Sequence, residues 1–259
     1  MRRRTALAAG LAWSAAACAE APPRLRVGFA VGYAPFSEIG SDGQLKGFEV
    51  DLAQQLCARL GLQLGQTILD FDGLVPALQA RKIDAIMASM SITPEREQVI
   101  AFTAPYYYSP VRLVVRGDAR FEATPAGLQG RRIGVERGTI HERFAADTFK
   151  RSQVLRYATQ DQVFLDLKAG RLDATLVDAV IAQFGFLKQV DGRGFAFAGP
   201  DFSRDTRYYG KGIGVGLRKA DAPTLGRRLD EALAALRSSG ALKALNDRYF
   251  SLDLVTPPR

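Results

Sequence analysis

One short unit is spelled twice in this chain, and it limits the folds open to it. Leu74-Val75-Pro76-Ala77-Leu78 leads into Arg81-Lys82-Ile83-Asp84-Ala85, and Phe164-Leu165-Asp166-Leu167 leads into Gly170-Arg171-Leu172-Asp173-Ala174. Each copy reads as a helix, a short basic turn and a strand that opens with aspartate and alanine. Strands alternating with helices at this spacing predict α/β units with a largely parallel sheet. Two copies predict two similar α/β lobes. Ligands of open α/β sheets gather at the carboxyl ends of the strands, so two lobes facing each other form a cleft there.

The rest of the chain fits this plan. Leu25 to Ala30 reads as a first strand, followed by the loop Gly32-Tyr33-Ala34-Pro35-Phe36 and a hairpin turn at Ser41-Asp42-Gly43. Phe48 to Leu60 has helical periodicity, with Leu52, Leu56 and Leu60 on one face and Gly61 as the stop. Leu62 to Leu69 is a strand, Asp72 is placed to cap a helix from Gly73 to Ala80, and Ile83 to Ala88 is a strand. Ile100 to Tyr108 suits a crossing between lobes. Val111–Val115, Arg132–Glu136, Gln153–Tyr157 and Leu172–Val177 are the strands that follow. Their helices start at Gly138-Thr139 and at Thr159 or Asp161, the second running to Ala169, and a third runs from Asp178 to Leu187. Phe195–Ala198 and Gly212–Leu217 read as late strands, with Gly199-Pro200 as a second crossing. Pro223–Arg237 and Ala241–Tyr249 read as closing helices, the first with a core stripe of Leu225, Leu229, Leu233 and Leu236. The expected division is 24–109 for one lobe, 110–203 for the other, and 204–259 for the return to the first.

The segment Ile83 to Arg96 carries the clearest chemistry. It starts as a buried strand and turns to hydroxyls at Ser89, Ser91 and Thr93. Thr93 then Pro94 is a helix-start signal, with threonine as N-cap and proline at the first helical position. Arg96 falls in that first turn. A strand end, hydroxyls, free backbone N–H groups and a guanidinium make an anion cradle, here expected to hold a small ligand's carboxylate.

Residues 1–19 follow another logic. Arg2, Arg3 and Arg4 precede an apolar run from Ala6 to Ala17 and then small residues, the plan of a secretory signal. The run is too short to span a bilayer. Ala17-Cys18-Ala19 fits ordinary cleavage before Glu20, while Cys18 after Ala15-Ala16-Ala17 also fits a lipidated first residue. Arg3-Arg4 looks like a twin-arginine signal, but no cofactor motif calls for folded export. Removing these three arginines takes the formal charge from +8 to +5, without a dense basic block, so nucleic-acid binding is not expected. Cys57 is then the one cysteine left, in an amphipathic helix, and it reads as a buried small hydrophobe. One histidine, His141, makes no metal site.

With exported α/β lobes, Tyr33-Ala34-Pro35-Phe36, Gly47-Phe48-Glu49-Val50-Asp51-Leu52 and Ile83 to Arg96 in view, the chain resembles the periplasmic polar-amino-acid-binding proteins of ABC importers. It looks like the lysine/arginine/ornithine and histidine binders in particular. Gly170 to Ala174, Gly185-Phe186-Leu187-Lys188-Gln189 and Gly214-Val215-Gly216-Leu217-Arg218-Lys219 extend the match from about Leu25 to Phe250. The resemblance implies a periplasmic-binding-protein-like fold of two α/β lobes, closing by a hinge near Tyr106 to Val111 and Gly199 to Arg204. It implies a monomer without cofactor that captures a polar or cationic L-amino acid and presents it to a membrane permease. It also implies that Arg96 clamps the α-carboxylate, aided by backbone N–H groups near Ser91 and Thr139. Asp178 holds the α-ammonium with Ser89 and Ser91 nearby, while Tyr33 and Phe71 sandwich the side chain.

The departures concern specificity. Where the basic-amino-acid binders carry an acid after the first strand this chain has Ala30, where they carry a serine it has Ala88, and Ile140 replaces a threonine. Glu136 stands where the family often has a cleft leucine. It either supplies a negative partner from the other lobe or points to solvent. His141 lies where the family places a polar residue. Leu64 replaces a second cysteine, in keeping with an unpaired Cys57. Two other functions fit the scaffold: an exported cyclohexadienyl dehydratase, or a sensory amino-acid binder. The dehydratase subgroup has an acid just after the cleft aspartate. Here Asp178 is followed by Ala179-Val180-Ile181-Ala182, so an enzyme is not expected.

Overall fold

The computed structural model describes residues 22–205 and 207–257. The signal segment 1–19 and Cys18 lie outside the described residues. Twelve strands appear among the described residues: β1 Arg24–Phe29, β2 Glu38–Ile39, β3 Leu45–Lys46, β4 Gln63–Ile68, β5 Ala85–Ile86, β6 Ala101–Phe102, β7 Val111–Arg116, β8 Arg132–Glu136, β9 Gln153–Tyr157, β10 Ala174–Asp178, β11 Phe195–Ala198 and β12 Gly216–Leu217. Seven α-helices accompany them: α1 Phe48–Leu60, α2 Leu74–Gln79, α3 Pro94–Glu97, α4 Ile140–Thr148, α5 Gln160–Lys168, α6 Arg227–Ser238 and α7 Ala241–Tyr249.

The repeated unit is realised as repeated topology. The first sheet has the order β4-β1-β5-β12-β6 and the second β9-β8-β10-β7-β11. In each, the first strand lies between the second and third, and all three run parallel. An antiparallel strand then joins the third, β12 beside β5 and β7 beside β10. The largely parallel sheets expected are thus present, each with one strand, β12 or β7, set antiparallel to its neighbours. The reason is connectivity, since β7 and β12 are the strands by which the chain enters one lobe and returns to the other.

Several expected elements shorten. The strand at 83–88 pairs with β1 only at Ala85 and Ile86, and Ser89 then turns the chain with φ 51°. The strand at 212–217 is reduced to β12, with Ile213 bridging separately to Ser91 and Tyr107. The helix after Asp178 is a wide-turn helix, Ile181–Leu187. The residue before α2 is Gly73, with no side-chain cap, so Asp72 does not cap that helix; its carboxylate faces the other lobe, as described below. The second crossing lies beyond Gly199-Pro200. Phe202, Tyr208 and Tyr209 still pack on Phe144 of α4 at 5.2–5.4 Å between rings, and Gly210 to Ile213 then cross. At Gly210 a Cβ would stand 1.4 Å from the Ile92 carbonyl oxygen, so only glycine fits there.

The core lies along these sheets. Leu52 and Leu56 of α1, Leu229, Leu233 and Leu236 of α6, and Leu242 and Leu245 of α7 are all buried, while Leu225 is only partly so. Each such leucine contributes about 1.5–3 kcal/mol by leaving water. Phe36 stacks on Tyr107 at 4.6 Å and meets Phe48 edge-on at 5.7 Å. This aromatic cluster fixes the loop after β1 against the first crossing segment. Cys57 is buried and free.

Candidate functional site

The strand ends of both sheets converge on one pocket. It is lined from the first lobe by Ala30, Tyr33, Phe71, Ala88, Ser89, Ser91 and Arg96, and from the second by Glu136, Thr139, Ile140 and His141. It encloses about 370 Å³ of empty space, part of it open to solvent. Asp178, at the end of β10, borders the pocket through its partners. The phenol of Tyr33 donates to its Oδ2 at 2.9 Å, and Nε2 of His141 stands 3.8 Å from its Oδ1.

The Arg96 end is built locally. Thr93 caps α3, its hydroxyl accepting from the Arg96 N–H at 3.2 Å, with Pro94 at the first helical position. This sets the arginine at the helix start. Its Nη1 donates to the Ser91 carbonyl at 3.0 Å, and its guanidinium carbon lies 5.3 Å from the centre of the Phe71 ring. Burial draws its pKa down to about 10, against the pull of Asp178 and Tyr33, so it is cationic at neutral pH. Among the described residues no carboxylate pairs with it. A guanidinium has five N–H donors, and most of these remain for an anion.

The two serines differ. Ser91 lines the pocket beside Arg96. Ser89 donates its N–H to Glu49 Oε1 at 2.6 Å and its hydroxyl to Oε2 at 3.3 Å, so its donors are engaged inside the lobe. Glu49 also accepts from the Tyr106 hydroxyl. It is fully buried, and burial pushes its pKa up to about 7 against those hydrogen bonds. Sequence reasoning missed Glu49. The signal was there, because Glu49, Leu52, Ala53 and Leu56 follow the i, i+3, i+4, i+7 spacing of one helix face. An acid on that face has to find partners inside the lobe.

In the second lobe, Thr139 caps α4. Its hydroxyl accepts from the Glu142 N–H at 3.2 Å and donates to the Glu136 carbonyl at 2.6 Å. The side chain is thus occupied by the cap. Glu136 is buried and faces the pocket rather than solvent. Burial pushes its carboxyl up to about 8, reinforced by Asp161, Asp178, Asp70 and Asp72. His141 is buried, and its Nδ1 has no hydrogen-bond partner among the described residues.

The lips of the cleft touch. Arg137 donates to Asp70 at 2.5 Å and to Asp72 at 2.7 Å, joining the two lobes, and Arg143 pairs with Glu95. Gly138 has φ +72°, and a Cβ there would stand 2.8 Å from that of Asp72, which keeps the approach open to glycine. The structure is therefore the closed arrangement of the lobes. Among the described residues no three His, Cys, Asp or Glu side chains gather as a metal site.

Known proteins are similar to this chain in sequence and fold. Residues 25–252 match the sequence pattern of the bacterial extracellular solute-binding proteins, family 3. The L-arginine-binding protein of Pseudomonas aeruginosa is 42% identical over 232 residues, covering 89% of each chain. The lysine/arginine/ornithine-binding periplasmic protein of Escherichia coli is 41% identical over 250 residues, covering 96% of this chain and 95% of that one. Among solved structures, a Salmonella typhimurium periplasmic binding protein described for high arginine specificity superposes with a TM-score of 0.81. It is 30% identical, over 88% of this chain and all of that one.

Proposed function

The chain belongs to the bacterial extracellular solute-binding proteins, family 3, and from that premise we propose that it captures a polar or cationic L-amino acid in the periplasm and delivers it to the permease of an ABC transporter. It is a binding protein rather than an enzyme, as its relatives are named binding proteins. In this reading residues 1–19 direct export, Cys18 is either removed with them or lipidated, and the mature chain works as a monomer.

One observation carries the reading. A guanidinium with no carboxylate partner among the described residues, Arg96, lines the interlobe pocket, and a buried carboxylate, Asp178, lies at its border, bonded to the pocket residue Tyr33 and lining the adjoining cavity that shares Ser91. An α-amino acid brings the two charges these groups need. Arg96 takes the α-carboxylate with two parallel N–H···O bonds, helped by the backbone N–H groups at Ser91 and at the start of α4. Asp178, oriented by Tyr33, takes the α-ammonium, with Ser89, Ser91 and His141 around it. Phe71 and Tyr33 flank the side chain, and Glu136 lies further along the pocket. Closure of the lobes excludes water and strengthens each of these contacts.

A thermal-shift screen of the mature protein against the common amino acids tests this, since a ligand bound only to the folded state raises the melting temperature. Calorimetry on Arg96→Ala follows. Binding is expected to fall below detection while the far-UV spectrum and melting of the unliganded protein stay close to wild type. Undiminished affinity in Arg96→Ala, or a screen in which only sugars or polyamines bind, would overturn the proposal.

A further inference from the structure

Glu136 is a buried acid with an unmet need. It ends β8 and faces the pocket, and among the described residues no hydrogen-bond donor or cation pairs with its carboxyl. The charged groups around it make this worse. Asp161 on α5, Asp178 at the end of β10, and Asp70 and Asp72 before α2 all act on it as like charges. The adjacent cation, Arg137, is turned to the cleft lip and held by Asp70 and Asp72 at 2.5 and 2.7 Å. Arg96 is directed to the Ser91 carbonyl and the Phe71 ring. His141 is directed to Asp178, as is the Tyr33 hydroxyl. A buried carboxyl in this position keeps its proton until a cation arrives.

We propose that Glu136 is the specificity-determining acceptor for the distal cation of the ligand's side chain, and that it gives up its proton when that cation docks. The step balances simply: the Glu136 carboxylic acid becomes carboxylate, its proton passes to solvent, and the ligand's guanidinium or ammonium takes the proton's place as the positive partner. A negative group from the second lobe thus stands in for the acid missing at Ala30 in the first. Because the two lobes must meet for Glu136 to reach a ligand held by Arg96, a cationic side chain also ties the lobes shut. A neutral side chain meets a protonated, uncharged Glu136 and releases nothing. The buried carboxyl, held up near pH 8 by its surroundings, supports this reading.

The inference rests on the amino-acid-binding function proposed above, and the experiment separates the two. Binding of L-arginine, L-lysine and the neutral L-citrulline is measured by calorimetry at pH 6, 7 and 8, at pH 7 in two buffers of different ionisation enthalpy. A cationic ligand is expected to release close to one proton at pH 7, with affinity rising about tenfold per pH unit up to roughly pH 8 and flattening above it. Citrulline is expected to bind at least tenfold more weakly at pH 7 and to release almost none. Glu136→Gln, which mimics the protonated side chain in shape, should abolish the proton release and bring arginine and citrulline to within a few-fold of each other. If arginine binds without proton release the proposal is wrong, and if Glu136→Gln releases the same proton the linkage belongs to another buried group (Glu49, His141 and Asp178 among them) and the proposal is equally wrong. If citrulline binds as tightly as arginine, the acceptor role fails. If no amino acid binds at all, both this inference and the function beneath it fall.

Discussion

Ligand-free protein should lose stability as pH rises through neutrality, and Glu49→Gln should remove part of that loss. Glu49 is fully buried, with Tyr106 and Ser89 as its donors. Its pKa is raised from 4.5 to about 7 in the folded state. The folded protein therefore binds a proton that the unfolded chain has already lost. The stability this brings is complete below about pH 4.5 and disappears as pH rises through about 7. A displacement of this size corresponds to roughly 3 kcal/mol. Glu136, raised to about 8, acts in the same sense, whereas Asp84 and Asp173, whose carboxyls are held below the ordinary range with arginine partners, act in the opposite sense and at lower pH. Glutamine keeps the shape and an acceptor for Tyr106 but cannot ionise. Urea unfolding of wild type and Glu49→Gln from pH 5 to 8 is the assay. Whatever constant offset the substitution brings, the difference between the two proteins should move in the variant's favour by about 2–3 kcal/mol across that range. In melting temperature this is about 4–12 °C for a chain of this size. A pH-independent difference, or one that moves the other way, would refute the reasoning, because it would mean that Glu49 carries the same charge in the folded and unfolded chains.

The lip contacts predict kinetics. Arg137→Ala removes two ion pairs that are each about half exposed, worth roughly 0.5–1.5 kcal/mol together. Ligand release followed by stopped-flow fluorescence should accelerate about two- to tenfold, with the gap narrowing in high salt; an unchanged release rate would show that the lips do not hold the cleft closed. Cys57 is buried and its thiol is pushed up to about 11 by burial, so a thiol reagent at pH 8 should leave the native protein unmodified and react with one cysteine per mature chain in denaturant if Cys18 is gone, and rapid native labelling would contradict the packing of α1.

What was legible in advance is what depends on neighbours along the chain. Helix caps act over three residues, and Thr93, Thr139 and Thr159 each accept from the N–H three positions on. The helix of Phe48–Leu60 and its stop at Gly61 follow from spacing and a left-handed glycine. The doubled helix–turn–strand unit anticipated two sheets of like topology, because a strand paired through a helical crossover is set by local order. The family pattern then named the candidate site residues; Tyr33, Phe71, Ser89, Ser91, Arg96, Glu136, Thr139 and His141 line one pocket, and Asp178 lines the adjoining cavity.

Tertiary structure decided the rest, and in each case the partner is remote in sequence. Asp72 looks like a cap until Arg137, from the other lobe, is brought to it. Ser89 looks like a free hydroxyl until Glu49 takes both its donors. Glu136 had two readings because the last residue of a strand, next to a glycine turn, is free to face either way. Only the approach of the first lobe, whose Asp70 and Asp72 draw Arg137 off to the lip, leaves Glu136 buried and facing the pocket. Short-range geometry and periodicity determined that the chain makes two α/β lobes with an arginine at one cleft edge. Long-range packing decided which carboxyls are buried, which are paired, and hence which one is left for a ligand's charge, since desolvation and Coulomb terms depend on what the folded chain brings within a few ångströms.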